Sequence, residues 1–194
     1  RNPTKTSRST VGTATEIYDY LRLLWARIGR THCRVCDREL TPDTVQSVTD
    51  RLLRLPAGTR FSVAFPLKTS DAVTHDVIVE NLRAQGFVRV EVDGLMARLE
   101  ELPPRLDLAA AKALHVVVDR LTASDAIRGR ITDALSTAMR EGDGDCLAIF
   151  ETPIAGGRAA GEARVWRFTE RFECPDDGTR APTPTPQLFS FNSP

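Results

Sequence analysis

No stretch of this chain approaches the roughly 20 consecutive apolar residues of a membrane span, and no signal-peptide pattern opens it. No membrane partner is therefore expected, and a cytoplasmic location is. Cysteine is scarce, four in 194 residues, two of them as Cys33-x-x-Cys36. Such usage suits a reducing compartment better than a disulfide-stapled secreted domain. Net charge is missing too: 26 basic residues balance 26 acidic ones, which removes the bulk electrostatic argument for a nucleic-acid-binding module. The glycines are scattered and nowhere form a Gly-x-x-x-x-Gly-Lys-Ser/Thr loop, so the backbone cradle for nucleotide phosphates is absent. His75 and His115 lack the neighbouring Ser, Cys or Asp pattern of a triad. The acid pairs Glu100-Glu101 and Asp176-Asp177 occupy adjacent positions, whose side chains point apart. These absences together disfavour an enzyme in its own right.

What is present is ordinary globular composition, 41% apolar and 27% charged, in a length that suits one or two domains with a core needing no covalent staples. The charge is unevenly spread. Residues 1–38 carry eight Lys/Arg against three acids, a local +5, leaving 18 basic and 23 acidic residues, a net −5, for the rest. A run of this size reads first as a solvated face.

Hydrophobic periodicity sets out the elements. Thr13-Ala-Thr-Glu16 has the form of a capping box, and Ile17, Tyr20, Leu21, Leu24 and Ile28 follow at helical spacing up to Gly29. Thr41-Pro42 predicts the start of a second helix lined by Val45, Val48, Leu52 and Leu55. From residue 59 the pattern becomes α+β: a strand over Phe61–Phe65, a helix over 73–85 released at Gly86, and a hairpin through Asp93-Gly94. A strand over Leu114–Leu121, a helix from Ser124 to about Arg140, and strands at Cys146–Phe150 and Val165–Phe168 complete it. The fold class expected is α+β: a compact mixed sheet with packed helices, inserted on a helical stalk with flanking extended segments. The divisions are 1–56 for the stalk, 57–170 for the body and 171–194 for the return segment, whose Leu188, Phe189 and Phe191 are expected to pack on the 13–28 helix.

Cys33-x-x-Cys36 has the spacing of half a zinc site, two thiolates on one tight turn. His32 is awkwardly placed to add a ligand, being adjacent to Cys33. Cys146, in an apolar strand, reads as a small buried hydrophobe. Alternation over residues 87–92 puts Val88, Val90 and Val92 on one face and Phe87, Arg89 and Glu91 on the other. Arg120 ends the Val-Val-Val-Asp-Arg strand. Either arginine, held on a rigid strand, can pair bidentately with a partner carboxylate, although an exposed, solvated arginine is the simpler reading.

Both ends of the chain add a further clue. The run Arg8-Ser-Thr-Val-Gly-Thr-Ala-Thr-Glu-Ile-Tyr-Asp-Tyr-Leu-Arg-Leu-Leu24 leading to Cys33-Arg-Val-Cys36, and the final Leu188-Phe-Ser-Phe-Asn-Ser-Pro194, resemble the UvrA family, the ABC-type ATPase subunit of bacterial nucleotide excision repair. The resemblance covers the chain in order but only part of that family's length. With Arg at position 1 and no Leu-Ser-Gly-Gly signature motif, the chain is expected to be an internal segment of a larger protein. It implies a body that docks UvrB and a UvrB-like module of the transcription-repair coupling factor. By the same resemblance, Arg89 in Phe87–Val90 and Arg120 in Val117–Arg120 are expected to contribute to that docking, with Phe87 supplying contact area. The resemblance further implies that the segment itself requires no cofactor, that ATP is bound only by other parts of the parent, and that the parent is a homodimer that contacts DNA. The resemblance also pairs Cys174-Pro-Asp-Asp177, where Asp177 stands in place of a cysteine, with a further Cys-x-x-Cys beyond residue 194. A zinc set of Cys33, Cys36 and Cys174 is therefore incomplete within the chain, with Cys174 read as a remnant. Direct DNA contact by a basic zinc-knuckle module is the alternative function.

Overall fold

The computed structural model describes residues 16–70, 72–155 and 162–190. Their packing divides the chain into two compact units, one of residues up to 41 together with those from 171 on, the other of residues 42–170.

In the first unit, helix α1 (Ile17–Ile28) is followed by a two-stranded antiparallel ribbon of β1 (Thr31–His32) and β2 (Glu39–Leu40). The capping box read at Thr13 lies outside the described residues; Glu16 is the N-cap, at φ 61°, and makes no side-chain capping bond. No residue of α1 is buried. Of the return segment, Phe189 accepts a hydrogen bond from the Tyr18 hydroxyl through its carbonyl, and its ring shares a small recess with Trp25 and Pro184. Leu188 and Phe189 remain partly exposed, and Phe191 lies outside the described residues.

The second unit is built on six strands in the order β5-β4-β6-β3-β7-β8. These are β3 (Arg60–Pro66), β4 (Arg89–Val92), β5 (Leu95–Arg98), β6 (Leu114–Thr122), β7 (Asp145–Ala155) and β8 (Glu162–Thr169). Three helices accompany them: α2 (Val45–Leu53), α3 (His75–Ala84) and α4 (Arg128–Glu141), the last preceded by a single 3₁₀ turn over Asp125–Ile127. The α+β class and the compact sheet are as expected from sequence. Every ladder is antiparallel, so the mixture is of helix with sheet rather than of strand directions. One face of the sheet, carrying Val63, Val90, Val116 and Phe150, shares a core with Leu52 of α2, Leu82 of α3, and Ile131 and Leu135 of α4. Burying side chains of this size contributes about 1.5–3 kcal/mol each. Alternate positions place Ala64, Val117, Leu147 and Ile149 in a smaller cluster on the other face.

Helix α2 departs from expectation twice. It starts later than Thr41-Pro42 predicts, because Thr44 and Ser47 form a reciprocal capping box, Ser47 N–H to Thr44 Oγ1 at 3.1 Å and Thr44 N–H to Ser47 Oγ at 2.9 Å. Sequence reading also grouped it with the 1–56 stalk, yet Val48 and Leu52 are buried in the core of the sheet unit. The two ends of that unit meet at Asp43 and Thr169: Asp43 N–H donates to the Thr169 carbonyl at 2.7 Å, and Thr169 N–H donates to Asp43 Oδ2 at 2.9 Å.

Two local features shape the sheet near β4. Gly86, at φ 86°, closes α3 in a Schellman motif, with Gly86 N–H bonded to the Arg83 carbonyl and Phe87 N–H to the Leu82 carbonyl, both at 2.9 Å. Strand β6 carries a bulge: Val63 pairs with Asp119 but Ala64 pairs with Val117, leaving Val118 as the extra residue. Val116 and Leu121, five positions apart, consequently both reach the same core.

Candidate functional site

Strand β4 pairs with β6 only across Leu114–Val117, whereas β6 continues to Thr122. Beyond Val117 the edge of β6 is left without a strand neighbour on that side among the described residues. A half-open groove of about 350 Å³ occupies this notch. Three guanidinium groups line it, brought by three elements: Arg89 from the start of β4, Arg120 from β6 beyond the bulge, and Arg130 from the first turn of α4. Their partners differ. Arg130 grips Asp119 bidentately, Nε to Oδ2 at 2.7 Å and the terminal nitrogen to Oδ1 at 2.8 Å. Arg120 bonds Glu151 at 3.1 Å, with about half of each side chain exposed. Arg89, half-buried, makes no ion pair with the described residues. It also sits directly opposite Arg98 in the β4–β5 ladder, a like-charge juxtaposition that costs stability.

Phe87 lines the same groove but does not share a strand face with Arg89. It precedes β4 as the residue that completes the Schellman motif, and its ring packs edge-on against Phe65 of the core at 5.4 Å between centroids. The apolar side chain presented to solvent is Val88, at 42% exposure, because the strand alternation begins only at Arg89. Glu91, expected on the exposed face, is buried and bonded to His115. The other histidines also have local roles: His75 Nδ1 accepts the Leu108 N–H at 3.1 Å, and His32 Nδ1 lies 2.8 Å from the Asp37 carbonyl. Cys146 is buried, and that burial pushes its thiol up to about 12.

A second cluster lies wholly within the first unit. One donor atom from each of Cys33, Cys36, Cys174 and Asp177 falls within 4.8 Å of all the others. Two matching turns hold them. In the first, Asp37 N–H bonds the Cys33 carbonyl at 3.0 Å and Cys33 N–H bonds the Arg38 carbonyl at 2.8 Å. In the second, Gly178 N–H bonds the Cys174 carbonyl at 2.9 Å and Cys174 N–H bonds the Thr179 carbonyl at 2.8 Å. The residue after each second donor takes a positive φ, 58° at Asp37 and 72° at Gly178. Reading Cys174 as a remnant is thus corrected: the chain folds its turn onto the Cys33/Cys36 turn, with Asp177 in the fourth place. Hydrogen bonds from Thr179 hold the Asp177 carboxyl well below the usual carboxylate range. Backbone N–H groups of Cys36 and Val35 draw the Cys33 thiol down. At Cys36 the Arg38 N–H acts in the same direction, but the neighbouring Cys174 thiol and desolvation outweigh it and push the thiol up to about 11. Such a group offers soft thiolates and one hard oxygen, a donor set that can hold a metal ion.

Residues 43–152, which include the whole arginine groove, match the family model described as the UvrA interaction domain. The chain belongs to this family. Over its entire length it is 39% identical to the UvrABC system protein A of Clostridium perfringens (strain 13 / Type A) and to that of Bacillus subtilis (strain 168). The protein of the same description from Mycobacterium tuberculosis (strain CDC 1551 / Oshkosh) is 40% identical over 195 aligned positions. The chain spans about a fifth of the length of these curated relatives, 19% in each case. Within the UvrA interaction domain Arg89, Arg120 and Phe87 come together in one groove, as do Asp119 and Arg130, which sequence reasoning did not select. Arg130 lies on a helix and Asp119 beside an unforeseen bulge, so strand alternation gave no sign of either. Cys33, Cys36, Cys174 and Asp177 lie outside the matched domain.

Proposed function

We propose that this chain is the UvrB-recruiting part of a UvrA-type excision-repair protein, and that the groove bearing Arg89 and Arg120 is where UvrB docks. The observation that carries this reading is the convergence of Arg89 and Arg120, from strands far apart in sequence, on one notch in a domain of a family described by interaction. Charged side chains there fix register and speed encounter, while Val88 and the rim of Phe87 supply apolar contact. A UvrB-like module of the transcription-repair coupling factor would use the same surface. Residues up to 41 and from 171 on would form the stalk that joins the domain to its parent. ATP hydrolysis, dimerisation and DNA contact belong to the parent, in the cytoplasm. In a calorimetric titration the chain is expected to bind UvrB, and Arg89→Asp with Arg120→Asp to weaken binding by about 100-fold or more, with an unchanged circular dichroism spectrum. Unchanged affinity in the double variant would sink the assignment.

The second cluster favours a structural zinc ion. Its supporting observation is the matched pair of turns, with Cys36 Sγ and Cys174 Sγ 3.5 Å apart, near the roughly 3.8 Å separation of two thiolates on a tetrahedral zinc ion. Cys33, Cys36, Cys174 and Asp177 would hold it, and the ion would join two chain segments that have little core of their own. Elemental analysis should find one zinc per chain, with affinity falling at least tenfold in Asp177→Ala and retained in Asp177→Cys. A metal-free wild-type chain, purified without chelator, would overturn this. Direct DNA contact by the basic N-terminal part has less support, since Arg22, Arg30 and Arg38 are already paired with Asp19, Glu39 and Asp176.

A further inference from the structure

Among the three arginines of the groove, Arg130 is the one whose geometry is fixed from within. Its side chain is 62% exposed, yet two of its guanidinium nitrogens are committed to Asp119, whose side chain is 25% exposed. The same Asp119 Oδ1 also accepts the backbone N–H of Arg120 at 2.8 Å. One carboxylate therefore holds the Arg130 cation and ties down the backbone of Arg120, at the bulge beyond which the β6 edge has no strand neighbour on that side among the described residues. A planar fork held bidentately loses little further entropy when its remaining N–H groups meet a second acceptor. The groove lining carries three arginines against this single aspartate.

Resting on the reading of the groove as the UvrB-docking site, we infer that Arg130 is a third contact for an acidic protein segment, with Asp119 as the residue that positions it. The partner chemistry is at least two Asp or Glu carboxylates spaced to meet Arg89 and Arg130, with Arg120 released from Glu151 at little cost, since exposed pairs of this kind contribute about 0–1 kcal/mol. A nucleic-acid backbone fits less well. The site is a half-open notch rather than a stripe, and its partly buried aspartate would face the phosphates.

The test is a titration of the 194-residue chain with UvrB, comparing wild type, Arg130→Ala and Asp119→Asn. Arg130→Ala should weaken binding about tenfold and flatten its salt dependence, with an unchanged unfolding temperature. Asp119→Asn discriminates by sign: it makes the groove more positive, so a purely electrostatic role would tighten binding of an acidic partner, whereas loss of positioning weakens it, here by about fivefold. Wild-type affinity in Arg130→Ala, or tighter binding in Asp119→Asn, overturns the inference while leaving the Arg89/Arg120 reading intact. Failure of the wild-type chain to bind UvrB overturns both. Competition by duplex DNA that is lost in Arg130→Ala would make the groove a nucleic-acid site and equally overturn it.

Discussion

At the scale of single residues, the charges of the sheet unit behave differently according to what they touch. Asp50 on α2 bonds Arg128 of α4 at 2.6 Å, and that bond holds its carboxyl below the ordinary range. A carboxylate whose pKa is depressed by folding stabilises the folded state above its unfolded value of about 3.9 and loses that contribution as the pH falls through the folded value. Urea midpoints of wild type and Asp50→Asn should therefore differ at pH 7 and converge in acid below the ordinary Asp range; a constant gap down to pH 2 would contradict the pairing. Arg89 shows how far sequence could reach at this scale. Its Phe-Val-Arg-Val setting makes it a candidate through the family resemblance, but its half-buried position opposite Arg98 depends on a cross-strand register that no local pattern encodes. Phe87 falls off the strand face of Arg89 for a local reason: alternation begins only at Arg89, after a Schellman motif that ends at Phe87 itself.

Between residue and domain stand two helices with similar apolar stripes and opposite fates. Both α1 and α2 were legible from periodicity, but only α2 buries its stripe, through Val48 and Leu52. Helix α1 leaves Ile17, Tyr20, Leu21, Leu23, Leu24, Trp25 and Ile28 exposed. Periodicity reports that a helix has an apolar face, and says nothing of which surface covers it. Leu52→Ala should cost about 2–5 kcal/mol as a buried truncation, and Leu24→Ser should stay within about 0.5 kcal/mol as a surface change. Chemical denaturation of both variants checks the contrast, and an equal loss in Leu24→Ser would mean that α1 is packed in the isolated chain. The same scale explains the cluster of Cys33, Cys36, Cys174 and Asp177. Spacing pointed to the Cys33/Cys36 turn and the family resemblance to the Cys174 turn, but only the fold of the first unit brings Asp177 to the three cysteines.

For the whole molecule, the α+β class and most strands followed from alternation and the Asp93-Gly94 hairpin, and of the helix caps only Ser124 holds among the described residues. The bulge in β6 was invisible in a run of three valines, although it decides which side chains reach the groove. Strand order was likewise closed to local reading, because β3 enters between β6 and β7, partners far from it in sequence. That order leaves β6 beyond Val117 without a strand neighbour on the β4 side among the described residues, and the proposed partner recognition lies there. The measurement that bears most directly on it is calorimetry of the chain against UvrB, run side by side for wild type and the Arg89→Asp, Arg120→Asp double variant. Docking at the arginine groove predicts saturable binding by the wild type and its loss in the double variant at unchanged circular dichroism; equal affinities for the two, or no binding by the wild type, would contradict it.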